Sequence, residues 1–477
     1  MRIITAFLLL IYSSLSLAEN TSDQYYCDIN ALKTIDYSAD MLGYEQSDYE
    51  SVFPEWLAKA KNGDKKYQFY LAKAYQFGHG VEKDLFKSFE WYTKSSDQGY
   101  AVASNNLAFF YNDGQIFDQD FGKYFELLCD AATQGLSISK NNLGLMYSYG
   151  DGVELDYQEA FKWFKKSADQ GNFNAQNNLG LMYSYGDGVE LDYQEAFKWF
   201  KKSADQGFAD AQNSLGYSYN FGYGVTSDYE EAVKYYRLAA EQGNDWGQFN
   251  LGLMYMNGDG IESDFEMGHY WYEMAAKQGH INAINNLALD FMTGIHTGDS
   301  KGNKISSDYF KSVEWLKKGV EIDCASCAAI LYEIYIEKKN INSYSKQVNE
   351  LYNPELAIEF LELADEMGEE KASSMLGSLY LTGNESIPQD LKKALFWFHK
   401  SEEKYQDAYS QGQLAFLYSA ASGNDEIRDD VASVYWATKA SLQGNVQGKD
   451  HLANSLQWGN GALQDGYLAI KNYKEIT

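Results

Sequence analysis

The chain has 477 residues, with 68 Asp and Glu against 39 Lys and Arg and a formal net charge of −29. Binding of phosphate backbones and anionic lipid is driven by basic side chains that displace counterions, so this acidity argues against nucleic acid and the membrane surface as partners. The acids are spread along the chain instead of forming a block, which is the pattern of a solvated surface.

The first 18 residues, MRIITAFLLLIYSSLSLA, carry Arg2, an apolar run from Ile3 to Tyr12 and a small-x-small site at Ser16-Leu17-Ala18. They read as a secretory signal peptide cleaved after Ala18. A bilayer span needs roughly 20 apolar residues, and Ser13, Ser14 and Ser16 break the run first. No Cys follows the cleavage point to take a lipid, and no later segment is apolar enough to span. The expected mature protein is exported to a bacterial periplasm or the medium. A eukaryotic secretory lumen also fits, through Asn20-Thr21-Ser22 and Asn384-Glu385-Ser386.

Residues 19–63 precede the repeats, and Phe53 to Gly63 reads as a lone helix that caps them. Six units of 36 residues then follow without a gap, at 64–99, 100–135, 136–171, 172–207, 208–243 and 244–279. Two of them share an identical stretch: Asn141–Gly171 and Asn177–Gly207 are the same 31 residues. A fixed period of this size marks a supersecondary unit stacked on copies of itself.

Within unit 172–207, Ala175, Leu179, Met182 and Tyr183 fall on one face of a first helix. Gly180 sits in mid-helix, where Gly costs about 1 kcal/mol against Ala, so a close helix approach is expected there. The turn Gly186-Asp187-Gly188-Val189 supplies two glycines for positive φ. No strand precedes it and no Lys-Ser/Thr follows, so it is not a phosphate loop. Asp84, Asp120, Asp156, Asp192, Asp228 and Asp264 share one column at the start of the second helix and read as N-caps. Asp156-x-x-Glu159, Asp192-x-x-Glu195 and Asp228-x-x-Glu231 have the spacing of a capping box. Capping accounts for the best-placed acids without invoking calcium, whose EF-hand spacing is missing. Ala196, Trp199, Phe200 and Ala204 form the buried face of the second helix.

Tyr183-x-x-Gly186-x-Gly188-Val189, Ala196-x-x-Trp199 and Ala204-x-Gln206-Gly207 resemble the Sel-1-like repeat, a relative of the tetratricopeptide repeat. The likeness is strong over 64–293 and degenerate over 294–477. It implies an all-α, right-handed α-solenoid of about eleven 36-residue helix-turn-helix repeats, and a role as adaptor or scaffold. Beyond residue 293 the expectation is an irregular region, 294–368, with polar insertions at 297–307 and 338–353, then degenerate repeats at 369–477.

Candidate chemistry is sparse. No H-E-x-x-H, G-x-S-x-G or Walker signature occurs, the six His are scattered, and no metal or cofactor is expected. Ser137-x-x-Lys140, Ser343-x-x-Lys346 and Ser401-x-x-Lys404 match S-x-x-K, and a cysteine-rich branch of the resembled family is linked to β-lactams. This chain lacks that branch's cysteine pairs and has no S-D-N or K-T-G partner, so an envelope enzyme acting on β-lactam or peptidoglycan fragments is the alternative reading. Cys27, Cys129, Cys324 and Cys327 survive cleavage. Cys324-Ala-Ser-Cys327 reads as a local disulfide or as two structural thiols, because a thioredoxin-like motif needs a strand context.

The expected binding site comes from rotating the first helix at about 100° per residue. With Ala175 at zero, the apolar stripe lies near 0–80° and Asn177 near 200°, facing away. Its column, Asn105, Asn141, Asn177, Asn213 and Asn285, with Ser148, Ser184 and Asn220 in the column seven residues further on, is expected to line the concave face. There the carboxamides are placed to pair with an extended peptide. The neighbouring column of Asn178 is read as structural. The function expected is an exported scaffold that binds a protein or peptide partner, with a secreted host-interaction factor as a further alternative.

Overall fold

The computed structural model describes residues 49–114, 116–294, 307–337, 345–419, 422–424 and 426–458. The expected signal peptide, Cys27, nearly all of the first insertion, residues 338–344 of the second including Ser343, and the C-terminal tail lie outside them. Among the described residues there is no strand. By internal contacts the chain divides between Tyr235 and Tyr236 into two compact units.

The first unit holds α1 (Tyr49–Lys61), α2 (Lys65–Phe77), α3 (Leu85–Ser96), α4 (Ala101–Asn112), α5 (Phe121–Thr133), α6 (Ser137–Tyr149), α7 (Tyr157–Asp169), α8 (Phe173–Tyr185), α9 (Tyr193–Ala204) and α10 (Ala209–Phe221), and enters α11 (Tyr229–Glu241). From α2 the helices form pairs, each packed on the next. The architecture is an α-solenoid, as the repeat period predicts.

The second unit continues with α12 (Asp245–Asn257), α13 (Phe265–Lys277), α14 (Ile281–Thr293), α15 (Tyr309–Val320), α16 (Ala325–Ile336), α17 (Ser345–Leu351), α18 (Pro354–Glu366), α19 (Ala372–Thr382), α20 (Leu391–Tyr405), α21 (Ala408–Tyr418), α22 (Asp430–Leu442) and α23 (Val446–Trp458). The second insertion is not all loop. Its C-terminal part is the short helix α17, which packs on α15 and α16.

Local chemistry accounts for each pair. The carboxylates of Asp84, Asp120, Asp156, Asp192 and Asp264 accept from backbone N–H groups of the first turn of the second helix, and Asp228 does the same for Glu230 and Glu231. The device continues at Asp308, Asn353, Asp390 and Asp429. The glutamates of the capping-box spacing are turned to lysines one turn on: Glu159 to Lys162 at 2.7 Å and Glu195 to Lys198 at 2.5 Å. These surface pairs are each worth at most about 1 kcal/mol.

The two turn glycines do different jobs. Gly186 closes α8 in the left-handed region at φ 78°. Gly188, at φ 68°, lies directly on the backbone of Tyr157, where a Cβ has no room. In mid-helix, a Cβ on Gly144 or Gly180 would meet the rings of Phe164 or Phe200 at 2.7 and 2.5 Å. Close approach of the paired helices therefore explains the mid-helix glycine.

Candidate functional site

The buried residues of α8 are Ala175, Gln176, Asn177, Leu179, Gly180 and Met182. At about 100° per residue they cover an arc from roughly 340° through zero to 200°, more than half the circumference. Gly180 faces Phe200 of its own second helix. Gln176, 5% exposed, donates to the Ala168 carbonyl of the preceding α7 at 3.2 Å and accepts from Gln206 at 2.8 Å. Each first helix is thus enclosed on two sides.

This enclosure corrects the expected exposure of the Asn177 column. Asn105, Asn141 and Asn177 are buried, and Asn213 and Asn285 are half-buried. Neighbouring repeats are tied together there: Asn142 Nδ2 donates to Asn105 Oδ1 at 3.3 Å, and Asn178 Nδ2 to Asn141 Oδ1 at 3.1 Å. Asn285 donates to Ser326 Oγ at 2.9 Å. The ladder is interrupted at Ser214, whose hydroxyl donates to its own helix at the Asp210 carbonyl. Asn177 Oδ1 is left buried without a hydrogen bond. Ser148 and Ser184 likewise donate back to the Gly144 and Gly180 carbonyls, and Asn220 is half-buried.

A second polar column escaped the sequence reading. Gln98 donates to Gln68, Gln206 to Gln176 and Gln278 to Gln248, at 2.6–2.8 Å. In unit 136–171 the glutamine is replaced by Lys140, 3% exposed, whose Nζ donates to Gln170 Oε1 at 2.6 Å. Burial, helped by Lys166, lowers its pKa to about 8. The 36-residue recurrence of the closing Gln was the available signal.

Apart from Phe173 at its start, the arc of α8 that faces away from both neighbours holds Asn174, Asn178, Leu181 and Tyr185, of which Tyr185 is exposed and the others half-buried. Its counterparts are Ile138, Asn142, Leu145 and Tyr149 on α6, and Asp210, Ser214, Tyr217 and Phe221 on α10. Ile138, Tyr149, Tyr185 and Phe221 are 39%, 50%, 53% and 54% exposed. Three consecutive repeats of the first unit therefore present large apolar side chains between amides and hydroxyls, on the first helices but rotated from the expected column.

Of the S-x-x-K matches, the two that fall on described residues, Ser137/Lys140 and Ser401/Lys404, are not assembled as Ser–Lys pairs. Lys140 is bound to Gln170, Lys404 Nζ donates to the Asp365 carbonyl, and Ser401 donates to Asp407. Cys324 and Cys327 form a disulfide at the start of α16, and Cys129 is also disulfide-bonded. Among the described residues no group of three or more His, Cys, Asp or Glu is placed to hold a metal ion.

The family model described as Sel1 repeat matches residues 66–100, 137–172, 174–208, 209–244, 247–280, 282–322, 371–404 and 408–445, more than half of the chain. The pair α4–α5 is passed over; its turn has Gly114 in the first glycine column but Ile116 in the second. No curated protein matches. Among solved structures, a protective antigen present in uropathogenic Escherichia coli strains and displaying an SLR fold is similar at 26% identity and TM-score 0.51, over 91% of this chain and 95% of that one. A Sel1 repeat protein from Oxalobacter formigenes is 27% identical with TM-score 0.46, over 50% of this chain and 95% of that one.

Proposed function

The chain belongs to the Sel1 repeat family, and we propose that it is an exported interaction scaffold whose protein or peptide partner docks along the solvent-facing stripe of the first helices. Sel1 repeat proteins are in general non-enzymatic repeat scaffolds that bind protein partners. The observation that carries the reading is the exposure of Ile138, Tyr149, Tyr185 and Phe221 in three successive repeats. Large apolar side chains exposed on the same face of successive repeats are the pattern expected of an interaction surface. Export is supported by the leader pattern at 1–18 and by disulfides at Cys129 and Cys324–Cys327, which persist in oxidising compartments.

Affinity capture from envelope and medium extracts with residues 19–477 tests the reading, beside a variant carrying Ser at Ile138, Tyr149, Tyr185 and Phe221. With helical content matched, a partner held by the first protein and lost by the second supports the stripe. A partner held equally by both removes it. The similarity to a protective antigen favours, as a second reading, a host-facing partner. Recovery of the chain in the medium supports that reading and confinement to the cell envelope opposes it.

A further inference from the structure

The turn edge of units 136–171, 172–207 and 208–243 combines two features. The segments 149–157, 185–193 and 217–229 contain no Lys, Arg or His. They hold seven acids, of which Asp156, Asp192 and Asp228 are spent on helix caps. Asp151, Glu154, Asp187 and Glu190 have no ion-pair partner among the described residues. Burial raises the pKa of Asp187 and of Asp151, and the Asp187 charge lies close enough to Tyr185 to raise the pKa of that phenol, after its own burial.

Tyr185 in turn interacts with Tyr193 and Tyr217, two members of a cluster of rings. Tyr223, in the turn after α10, stacks on Tyr193, the first residue of α9, with centroids 4.7 Å apart and planes 18° from parallel. Tyr217 packs on Phe221 at 4.5 Å and stands 5.9 Å from Tyr223. The rings hold one another in place, yet Tyr193, Tyr217, Tyr223 and Phe221 keep 36%, 37%, 38% and 54% of their surface in solvent.

Elsewhere the chain covers such rings with its own cations. Lys94 lies over Trp91 at 4.2 Å, Lys202 over Trp199 at 3.6 Å and Lys234 over Tyr235 at 5.0 Å. Among the described residues, no cation lies over the four rings of the turn edge. A cation placed over an aromatic face is attracted by the ring quadrupole, and a neighbouring carboxylate adds to that attraction. Guanidinium, planar and weakly hydrated, stacks better than ammonium.

We propose that this edge receives an arginine-bearing basic segment of the protein partner, with Tyr193, Tyr217, Phe221 and Tyr223 as the platform for its side chains and Asp151, Glu154, Asp187 and Glu190 as the complementary charge. This rests on the scaffold reading and adds the chemistry of the partner. The pre-assembled rings reduce the ordering cost of binding, and the acidic field speeds encounter with a basic segment.

The test is fluorescence anisotropy of a labelled alternating arginine–serine peptide against residues 19–477 at about 0.15 M salt. The comparison variants are Tyr193→Leu/Tyr217→Leu/Tyr223→Leu and the corresponding triple Phe variant, with helical content checked by circular dichroism. The expected result is binding by the unaltered chain, weakening of about tenfold or more in the Leu variant, and near-retention in the Phe variant, since the faces and not the hydroxyls bind. Equal binding by the Leu variant would show charge attraction alone and overturn the proposal. So would equal loss in the Phe variant, absence of binding, or preference for a neutral oligosaccharide. The two readings share the α10 end of the stripe at Tyr217 and Phe221, and they are told apart by readout: loss of peptide binding with partner capture intact overturns the arginine proposal alone, whereas capture that survives the Ile138/Tyr149/Tyr185/Phe221 substitutions overturns the scaffold stripe.

Discussion

Lys140→Gln replaces a buried ammonium with the residue that occupies the same column at Gln68, Gln176, Gln212 and Gln248. The folded protein holds Lys140 at a pKa of about 8, against an ordinary 10.5. A lysine with a lowered folded pKa costs stability wherever both folded and unfolded states are protonated, which is below pH 8. The cost fades as pH rises from about 8 to 10.5. The gap corresponds to about 3 kcal/mol at neutral pH, taking about 1.4 kcal/mol per pKa unit. Glutamine keeps a hydrogen bond to Gln170, as Gln176 does with Gln206. The variant should therefore gain about 2–3 kcal/mol at pH 7 and about 1 kcal/mol or less near pH 10.5. Because repeat arrays need not unfold in one step, the assay is hydrogen exchange of the α6 and α7 amides in both proteins at each pH. Comparison at equal pH cancels the tyrosines that titrate in the same range. A variant no more stable at pH 7, or a gain that grows with pH, would refute the reasoning.

Further outcomes follow from single contacts. Gly180→Ala improves helix propensity by about 1 kcal/mol but drives a Cβ to 2.5 Å from Phe200 Cε1; a net loss of about 1–3 kcal/mol should appear in local hydrogen exchange of α8 and α9. Ser214→Asn restores the missing ladder donor to Asn177 Oδ1, which is buried without a partner, and should raise protection of α8 by about 1 kcal/mol; unchanged exchange removes the ladder as a stabilising device. If the leader is cleaved as proposed, mass spectrometry of the exported protein should find a mature chain that begins at Glu19, and an uncleaved leader in the cytoplasm would count against export.

The fold was legible because its devices recur every 36 residues. The Asp column caps, the paired turn glycines and the mid-helix Gly180 each act through a local contact or one neighbouring helix, and periodicity exposes them. The orientation of the Asn177 column was not legible. A helical wheel assigns one apolar stripe to one packing partner, whereas α8 is enclosed by α9 and by the preceding α7, so a polar arc is buried beside the apolar one. Polar residues satisfied within a repeat, such as Gln176 with Gln206, or across repeats, such as Asn141 with Asn178, look in sequence like solvated ones. The turn-edge rings were visible as residues, but their mutual stacking depends on the contact between successive repeats that brings Tyr223 onto Tyr193.

The most direct test of the scaffold account is hydroxyl-radical footprinting of the chain alone and with its captured partner. The account predicts that Tyr149, Tyr185 and Phe221 on the first helices lose reactivity in the complex, while Phe86, 64% exposed on the second helix α3, keeps it. Protection of Phe86 with Tyr149, Tyr185 and Phe221 unchanged would contradict the account.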